Sequence, residues 1–169
     1  MFQKVTDISQ IEAVEKLARE IWTEHYTPII GKHQVSYMLD KFQSADAISS
    51  QIKKGMEYFL IVEEEIPVGY MGLEFKQNEL FLSKIYVLSS MRGKGIGRKA
   101  VAFAAEIAKK RNLSRITLTV NKGNISSIKA YEKIGFVNNG SIVSDIGHGF
   151  VMDDFRMEKL VSMNKEEFN

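Results

Sequence analysis

The sequence predicts an α/β protein of the mixed α+β kind: one twisted mixed sheet of six to seven strands flanked by helices. Three observations predict it. Residues 116–120, Ile-Thr-Leu-Thr-Val, alternate apolar and polar with the period of a strand. The stretch from Gly97 to Lys110 has the helical period instead, with Ala100, Val101, Ala104 and Ala108 on one side. An apolar run from Leu80 to Leu88, that helix and the strand at 116–120 form a crossover unit, which is right-handed and makes its two strands parallel.

The other elements follow in chain order. Phe2 to Thr6 reads as a short strand, and a helix follows from about Ser9 to Glu24, with Asp7 or Ser9 as cap. Its apolar face is Ile11, Val14, Leu17, Ala18 and Ile21. Pro28 and Gly31 are expected to break the chain before two shorter helices, Gln34 to Phe42 and Ala45 to Lys53. Tyr58 to Val62 and Val68 to Phe75 read as strands joined by the acidic turn Glu63-Glu64-Glu65, and the turn lengths imply antiparallel neighbours. A helix is expected over Ile125 to Ile134. Two last strands, about Phe136 to Val143 and Phe150 to Leu160, flank a loop at Asp145 to Gly149.

Composition narrows the functional classes. A chain of 169 residues suits one domain, 1–169, and 44% apolar residues are enough for a core. There is no cysteine, which removes disulfides, thiolate metal sites and a thiol nucleophile, and three scattered histidines make no zinc site, so no metal is expected. A net charge of +2 does not indicate nucleic acid, and Lys109-Lys110-Arg111 reads as the basic end of a helix. No apolar run has the length of a membrane span and Met1-Phe2-Gln3-Lys4 opens no signal-peptide core, so the expected location is the cytoplasm, without a membrane partner.

Met91-Arg92-Gly93-Lys94-Gly95-Ile96-Gly97-Arg98 carries the most chemistry. Glycines permit positive φ and close approach to a ligand, the helix start offers unbonded amides and the positive end of its dipole, and Arg92, Lys94 and Arg98 add charge. Read alone, the segment serves equally as a phosphate cradle or as a turn that needs glycine for shape. It is not a nucleoside-triphosphate loop, because Lys94 is followed by Gly95 rather than Ser or Thr. It is not a dinucleotide fingerprint either, because Arg98 stands where the third glycine belongs.

Downstream, Asn121-Lys122-Gly123-Asn124 leads into a helix that carries Tyr131-Glu132-Lys133 and ends at Gly135-Phe136. The order apolar strand, Arg-Gly-x-Gly-x-Gly, helix, strand, Asn-x-x-Asn, helix with Tyr-Glu-Lys-x-Gly-Phe resembles the GNAT superfamily of acetyl-CoA-dependent N-acetyltransferases. The resemblance is strong over residues 79–136, extends in less detail from about Tyr58 to Leu160, and covers the first fifty residues only in layout. It implies the GNAT fold, in which two central parallel strands splay apart and the pantetheine arm of the cofactor lies in the gap.

By position, the resemblance assigns the pantetheine to the backbone of Ile85, Tyr86 and Val87 and the pyrophosphate to the amides of Arg92, Gly93, Lys94, Gly95, Ile96, Gly97 and Arg98. Asn124, Ser127 and Tyr131 fall on one helix face, so an asparagine at the cofactor arm brings the Tyr131 phenol toward its thiol end. Tyr131 is then the expected general acid for the departing thiolate, its other reading being packing between Ile128 and Ile134. Many family members carry a glutamate on the strand before the glycine loop. Here Ser83 and Lys84 occupy that stretch, and Glu79, Glu74 and His25 are the remaining candidates for a base.

Trp22, His25 and Tyr26, within Trp22 to Ile30, gather aromatics beside Glu24 just past the expected helix end and are the candidate acceptor-binding residues, with hydrophobic closure of the core as the alternative. Asp153 and Asp154 also suit an amine. The layout His25 to Ile30, Tyr37-Met38-Leu39 and Met152-Asp153-Asp154 is weakly similar to bacterial polyamine acetyltransferases. The expected activity is transfer of acetyl from acetyl-CoA to a primary amine by direct attack in a ternary complex, with a small amine or polyamine favoured. The alternatives are a protein N-terminus or lysine as acceptor, an aminoglycoside-like or amino-acid acceptor, and a non-catalytic acetyl-CoA sensor. A homodimer is the candidate assembly.

Overall fold

The computed structural model describes residues 1–162; the last seven residues of the expected domain, 163–169, lie outside it. Strands β1 (Phe2–Lys4), β2 (Glu57–Glu63), β3 (Ile66–Lys76), β4 (Glu79–Val87), β5 (Arg115–Asn121), β6 (Val137–Gly147) and β7 (Phe150–Leu160) form one mixed sheet in the order β1-β2-β3-β4-β5-β7-β6. Helices α1 (Ile8–Ile30), α2 (Lys32–Phe42), α3 (Ala45–Lys53), α4 (Ile96–Lys110) and α5 (Ile125–Ile134) flank it. The expected fold class holds, with seven strands. The parallel ladder of the crossover unit joins the first three residues of β4, Glu79 to Phe81, to Arg115, Ile116 and Thr117 of β5. No helix among the described residues is long and apolar enough to cross a membrane.

The chain divides into two compact units: Met1–Glu74 with Ser83–Ala100, and Phe75–Leu82 with the chain from Val101 onward. Their boundaries fall inside β3, β4 and α4, so these elements are shared.

In the first unit, α1 starts at a capping box. The Asp7 carboxylate accepts from the Gln10 amide at 2.9 Å, and the Gln10 side chain accepts from the Asp7 amide at 3.2 Å. The helix runs to Ile30, six residues past the expected end. Proline at position 28 removes one N–H from the helical ladder, a loss tolerated where the residue is exposed, and Gly31, with φ +84°, ends the helix by donating its amide to the Thr27 carbonyl. The turn between β2 and β3 has the expected form, Glu64 and Glu65 both lying at positive φ, 48° and 66°.

Gly69 of β3 lies so close to β4 that a Cβ built on it would stand 2.4 Å from the Tyr86 carbonyl oxygen. Glycine is required there, and the contact sets the position of the β4 backbone at Tyr86 and Val87.

Beneath α2 and α3 lies a buried polar layer that the sequence reading did not contain. Lys84, only 6% exposed, donates to the Phe42 carbonyl at 2.6 Å, to Gln51 Oε1 at 2.8 Å and to the Tyr58 hydroxyl. Tyr58 donates in turn to Gln51, and Tyr70 to Gln43 Oε1 at 2.8 Å. The carbonyl at the end of α2 and the side chain of α3 are thereby tied to β4.

In the second unit, β5 pairs antiparallel with β7 from Arg115↔Leu160 to Asn121↔Asp154. The expected loop at Asp145 to Gly149 is shorter than anticipated. β6 continues to Gly147 and β7 resumes at Phe150, because His148 and Gly149 turn the chain at positive φ, 51° and 77°.

Burial draws the Lys84 ammonium down to about pKa 7 from an ordinary value of 10.5. The unfolded chain therefore binds more protons than the folded one between pH 7 and 10.5, and this residue makes stability rise with pH across that window by up to about 1.4 kcal/mol per pH unit. Urea denaturation of the parent and of Lys84→Met, at pH 7 and at pH 9, measures this. The expected result is a smaller gain with pH in the variant; equal gains would show that the lysine is not titrating.

Candidate active site

The candidate residues of the first unit come together around the end of β4. Tyr86 sits among three aromatic rings, with centroids 5.3 Å from Trp22, 6.2 Å from Tyr26 and 5.4 Å from Tyr70. Trp22 and Tyr26 are one turn apart on α1, 4.5 Å between rings, and both are buried. They lie within the last turns of α1 rather than in a turn past its end, and both rings pack against Tyr86. His25 is half-buried against Tyr26, at 4.8 Å.

Past β4, a short 3₁₀ turn, Ser89–Met91, leads into the glycine loop. Gly93 and Gly95 adopt φ of +75° and +79°, the left-handed region that glycine enters freely. Gly97, inside the first turn of α4, does not. Lys99 donates the bond to the Gly95 carbonyl that opens the helical ladder, so the amides of Ile96, Gly97 and Arg98 have no acceptor within α4. Arg92, Lys94 and Arg98 are exposed, as is Lys99, and the first turn of α4 has no acidic residue. Cations at a helix N-terminus face the wrong end of the macrodipole, and an anion bound there would offset their mutual repulsion.

Arg92 departs from the expected arrangement. Its amide donates to the Ser89 carbonyl at 3.2 Å, its Nε donates to the Val87 carbonyl at 3.3 Å, and its Nη1 lies 3.3 Å from His25 Nδ1. The residue braces the end of β4 against α1, which leaves the amides from Gly93 onward as the donors directed elsewhere.

In the second unit, Asn124 is the N-cap of α5, its Oδ1 accepting from the Ser127 amide at 3.4 Å. That cap joins two of the three residues expected on one face. Tyr131, the third, is half-buried with its ring edge-on to Phe136, centroids 5.6 Å apart. Gly135 closes the helix at φ +113°, and Lys159 Nζ donates to the Ile134 carbonyl at 3.1 Å.

Of the base candidates, Glu79 is held by two arginines: Arg156 Nη2 donates to it at 3.0 Å, and Arg115 Nε stands 3.6 Å away. Such a carboxylate is an ion-pair partner first. Lys84 escaped the sequence reading, and Asp154, expected together with Asp153 to suit an amine, differs from its neighbour in burial. Alternation of Leu80, Leu82, Lys84 and Tyr86 on the inward face of β4 is the signal that marks Lys84 as buried. Asp154, set apart from Asp153 by the pleat of β7, is buried while Asp153 is exposed and salt-bridged to Lys122 at 2.7 Å.

Comparison with known proteins places this geometry. The family model described as Acetyltransferase (GNAT) family matches residues 12–136. The chain is 22% identical over 151 residues to the spermidine N(1)-acetyltransferase of Thermoplasma acidophilum, a match that spans 86% of this chain and 91% of that protein. It is 40% identical over 148 residues to the uncharacterized N-acetyltransferase YobR of Bacillus subtilis, spanning 80% of this chain and 60% of that one. Among solved structures, the PaiA N-acetyltransferase of Thermoplasma acidophilum in complex with coenzyme A superposes with a TM-score of 0.76, at 22% identity, over 95% of this chain and 99% of that one, which establishes the common fold. The chain therefore belongs to the GNAT acetyltransferase family and is an N-acetyltransferase that draws its acetyl group from acetyl-CoA.

Proposed function

We propose that residues 1–169 act as one catalytic domain that transfers acetyl from acetyl-CoA directly to a primary amine, with a small amine or polyamine as acceptor. The observation that carries the cofactor side is the start of α4, where left-handed glycines present unbonded amides among clustered cations. On this reading the amides of Gly93 to Arg98 hold the pyrophosphate, with Arg92 bracing them, and the backbone of Ile85, Tyr86 and Val87 pairs with the pantetheine. Asn124 and Ser127 line the arm. A spermidine acetyltransferase among the relatives supports a small amine as acceptor. The Trp22, His25 and Tyr26 wall receives it, in the cytoplasm, and the assembly is a homodimer.

In the chemistry proposed, the neutral amine attacks the thioester carbonyl, and the tetrahedral intermediate collapses by breaking the carbon–sulfur bond. The Tyr131 phenol donates its proton to the departing thiolate, and the proton that the attacking nitrogen sheds on becoming an amide passes through solvent and restores the phenol. An alkylamine of pKa about 10 is neutral in roughly one molecule in a few thousand at neutral pH, so the rate should climb as pH rises. With no cysteine in the chain, an acetyl-enzyme lacks its usual carrier, which favours a ternary complex.

Tyr131→Phe should lower kcat by about 10²-fold with CoA affinity unchanged. Turnover equal to the parent would return the residue to packing against Phe136.

Initial rates over a panel of amines, followed by thiol release, test the reaction itself. Intersecting lines in the two-substrate plot and preference for primary amines are expected; parallel lines, or an isolable acetylated enzyme that passes its group to the amine, would refute direct transfer.

A further inference from the structure

The two edges of the sheet are built differently. β1 spans only Phe2 to Lys4 and ends on a lysine, and shortness and charge are two of the ways an edge strand is kept from pairing with another chain. β6 has neither. It runs from Val137 to Gly147 with no proline and no charged side chain before Asp145, and its one strand neighbour among the described residues is β7. Its first seven residues are all exposed, so neither face of the sheet is covered there. Ile142 is 38% exposed and Val143 64%, and Val151 of β7, on the same face as Val143, is 49% exposed.

Two irregularities restrict the length of β6 that can pair with a further strand. The ladder to β7 shifts between Asn138 and Ser141, where Gly140 stands at φ +110°, and again between Asp145 and Gly147. Between them Ser141 to Asp145 is regular, paired in sequence with Phe155 to Val151. Val143 is the centre of that segment.

We propose that Ser141 to Asp145 is the dimer interface: β6 of two copies pairs antiparallel about a two-fold axis through Val143, joining two seven-stranded sheets into one. The inference rests on the homodimer reading above and deepens it by naming the surface. A second copy is the occupant because the segment is its own complement. About this axis Val143 meets Val143 of the other copy, Ile142 meets Ser144, and Ser141 offers a hydroxyl donor to the Asp145 carboxylate. The two Asp145 side chains then lie roughly 14 Å apart along the strands, whereas parallel pairing in register would set them side by side at about 4.8 Å. The charge pattern therefore selects the two-fold arrangement. Asp153, opposite Val143 on β7, brings no unbalanced charge to the seam because Lys122 is 2.7 Å from it. Any slip of register leaves fewer than five regular residues opposed, and the short β1 at the far edge gives assembly nowhere to continue.

The chain has no cysteine, so a single introduced thiol reports proximity cleanly. Val143→Cys puts two thiols on the axis, where opposed Cα atoms of an antiparallel pair stand about 4.5 to 5.5 Å apart, within the reach of a disulfide. Oxidation should convert most of that variant to a covalent dimer, and Glu64→Cys, in the turn between β2 and β3, should give little. By light scattering the parent should have twice the 19.2 kDa mass of one chain. Ser141→Asp sets two like-charged pairs into the seam and should raise the dimer Kd by about tenfold or more, while Ser141→Lys, opposite the same Asp145, should lower it. Circular dichroism checks that each variant is folded, and the two Ser141 variants decide the matter if Val143→Cys is not. A dimeric parent whose Kd ignores both charge changes, or whose position 143 fails to cross-link in a folded variant, overturns this interface and leaves the homodimer reading standing. A parent that is monomeric at about 100 μM overturns both and leaves the edge to a strand of a different protein.

Discussion

Helix α4 begins with amide donors that its own ladder cannot satisfy, and the chain before it is shaped so that they stay available. Gly93 and Gly95 reach conformations that would strain any other residue, and the helix's first turn holds no acidic side chain. An N-cap of Ser, Asp or Asn would occupy one of those amides. Instead Gly95 precedes the helix, and Lys94, Arg98 and Lys99 add positive charge to the positive end of the dipole. That combination is unfavourable for the loop alone and would be relieved by a polyanion, which is the physical basis for proposing that the coenzyme's phosphates are held there mainly by backbone.

A backbone site is only as well placed as the strand and helix on either side of it, and the first unit shows how β4 is positioned. On the inward face, Lys84 ties the strand to the end of α2, to α3 and to β2, while Tyr86 is packed among Trp22, Tyr26 and Tyr70. From the side, Gly69 lets β3 approach within reach of the Tyr86 carbonyl. Arg92 then fastens the strand's last carbonyl to the loop. Burying an ammonium is costly unless its donors are met, and three acceptors from three separate elements make removal of any one of them more damaging than a hydrophobic substitution of the lysine itself. On this strand the buried Lys84 amine is a structural group that ties three other elements to β4.

The glycine loop and the Asn-x-x-Asn helix were legible because their requirements are local: φ above zero, an unbonded helix start and a cap are properties of a few consecutive residues. Strand and helix periods were equally readable, and the elements from β2 to α5 lie within two residues of their expected bounds. The exceptions have physical causes. Pro28 stands in an exposed turn of α1 where a missing amide is tolerated, so the break waits for Gly31. Lys84 reads as an oddity on a strand because its partners, Phe42, Gln51 and Tyr58, are distant in sequence. Asp153 and Asp154 are identical in composition terms and opposite in environment, a difference decided by which face of β7 each occupies once the pairing with β5 and β6 is fixed.

Backbone amide chemical shifts of the ¹⁵N-labelled protein, recorded during titration with CoA, test the central claim most directly. The account predicts that Gly93, Lys94, Gly95, Ile96, Gly97 and Arg98 show the large downfield amide proton shifts of new hydrogen bonds to phosphate, and that dephosphorylated pantetheine, which lacks the pyrophosphate, does not produce them. CoA binding that leaves those six amides unmoved would contradict it.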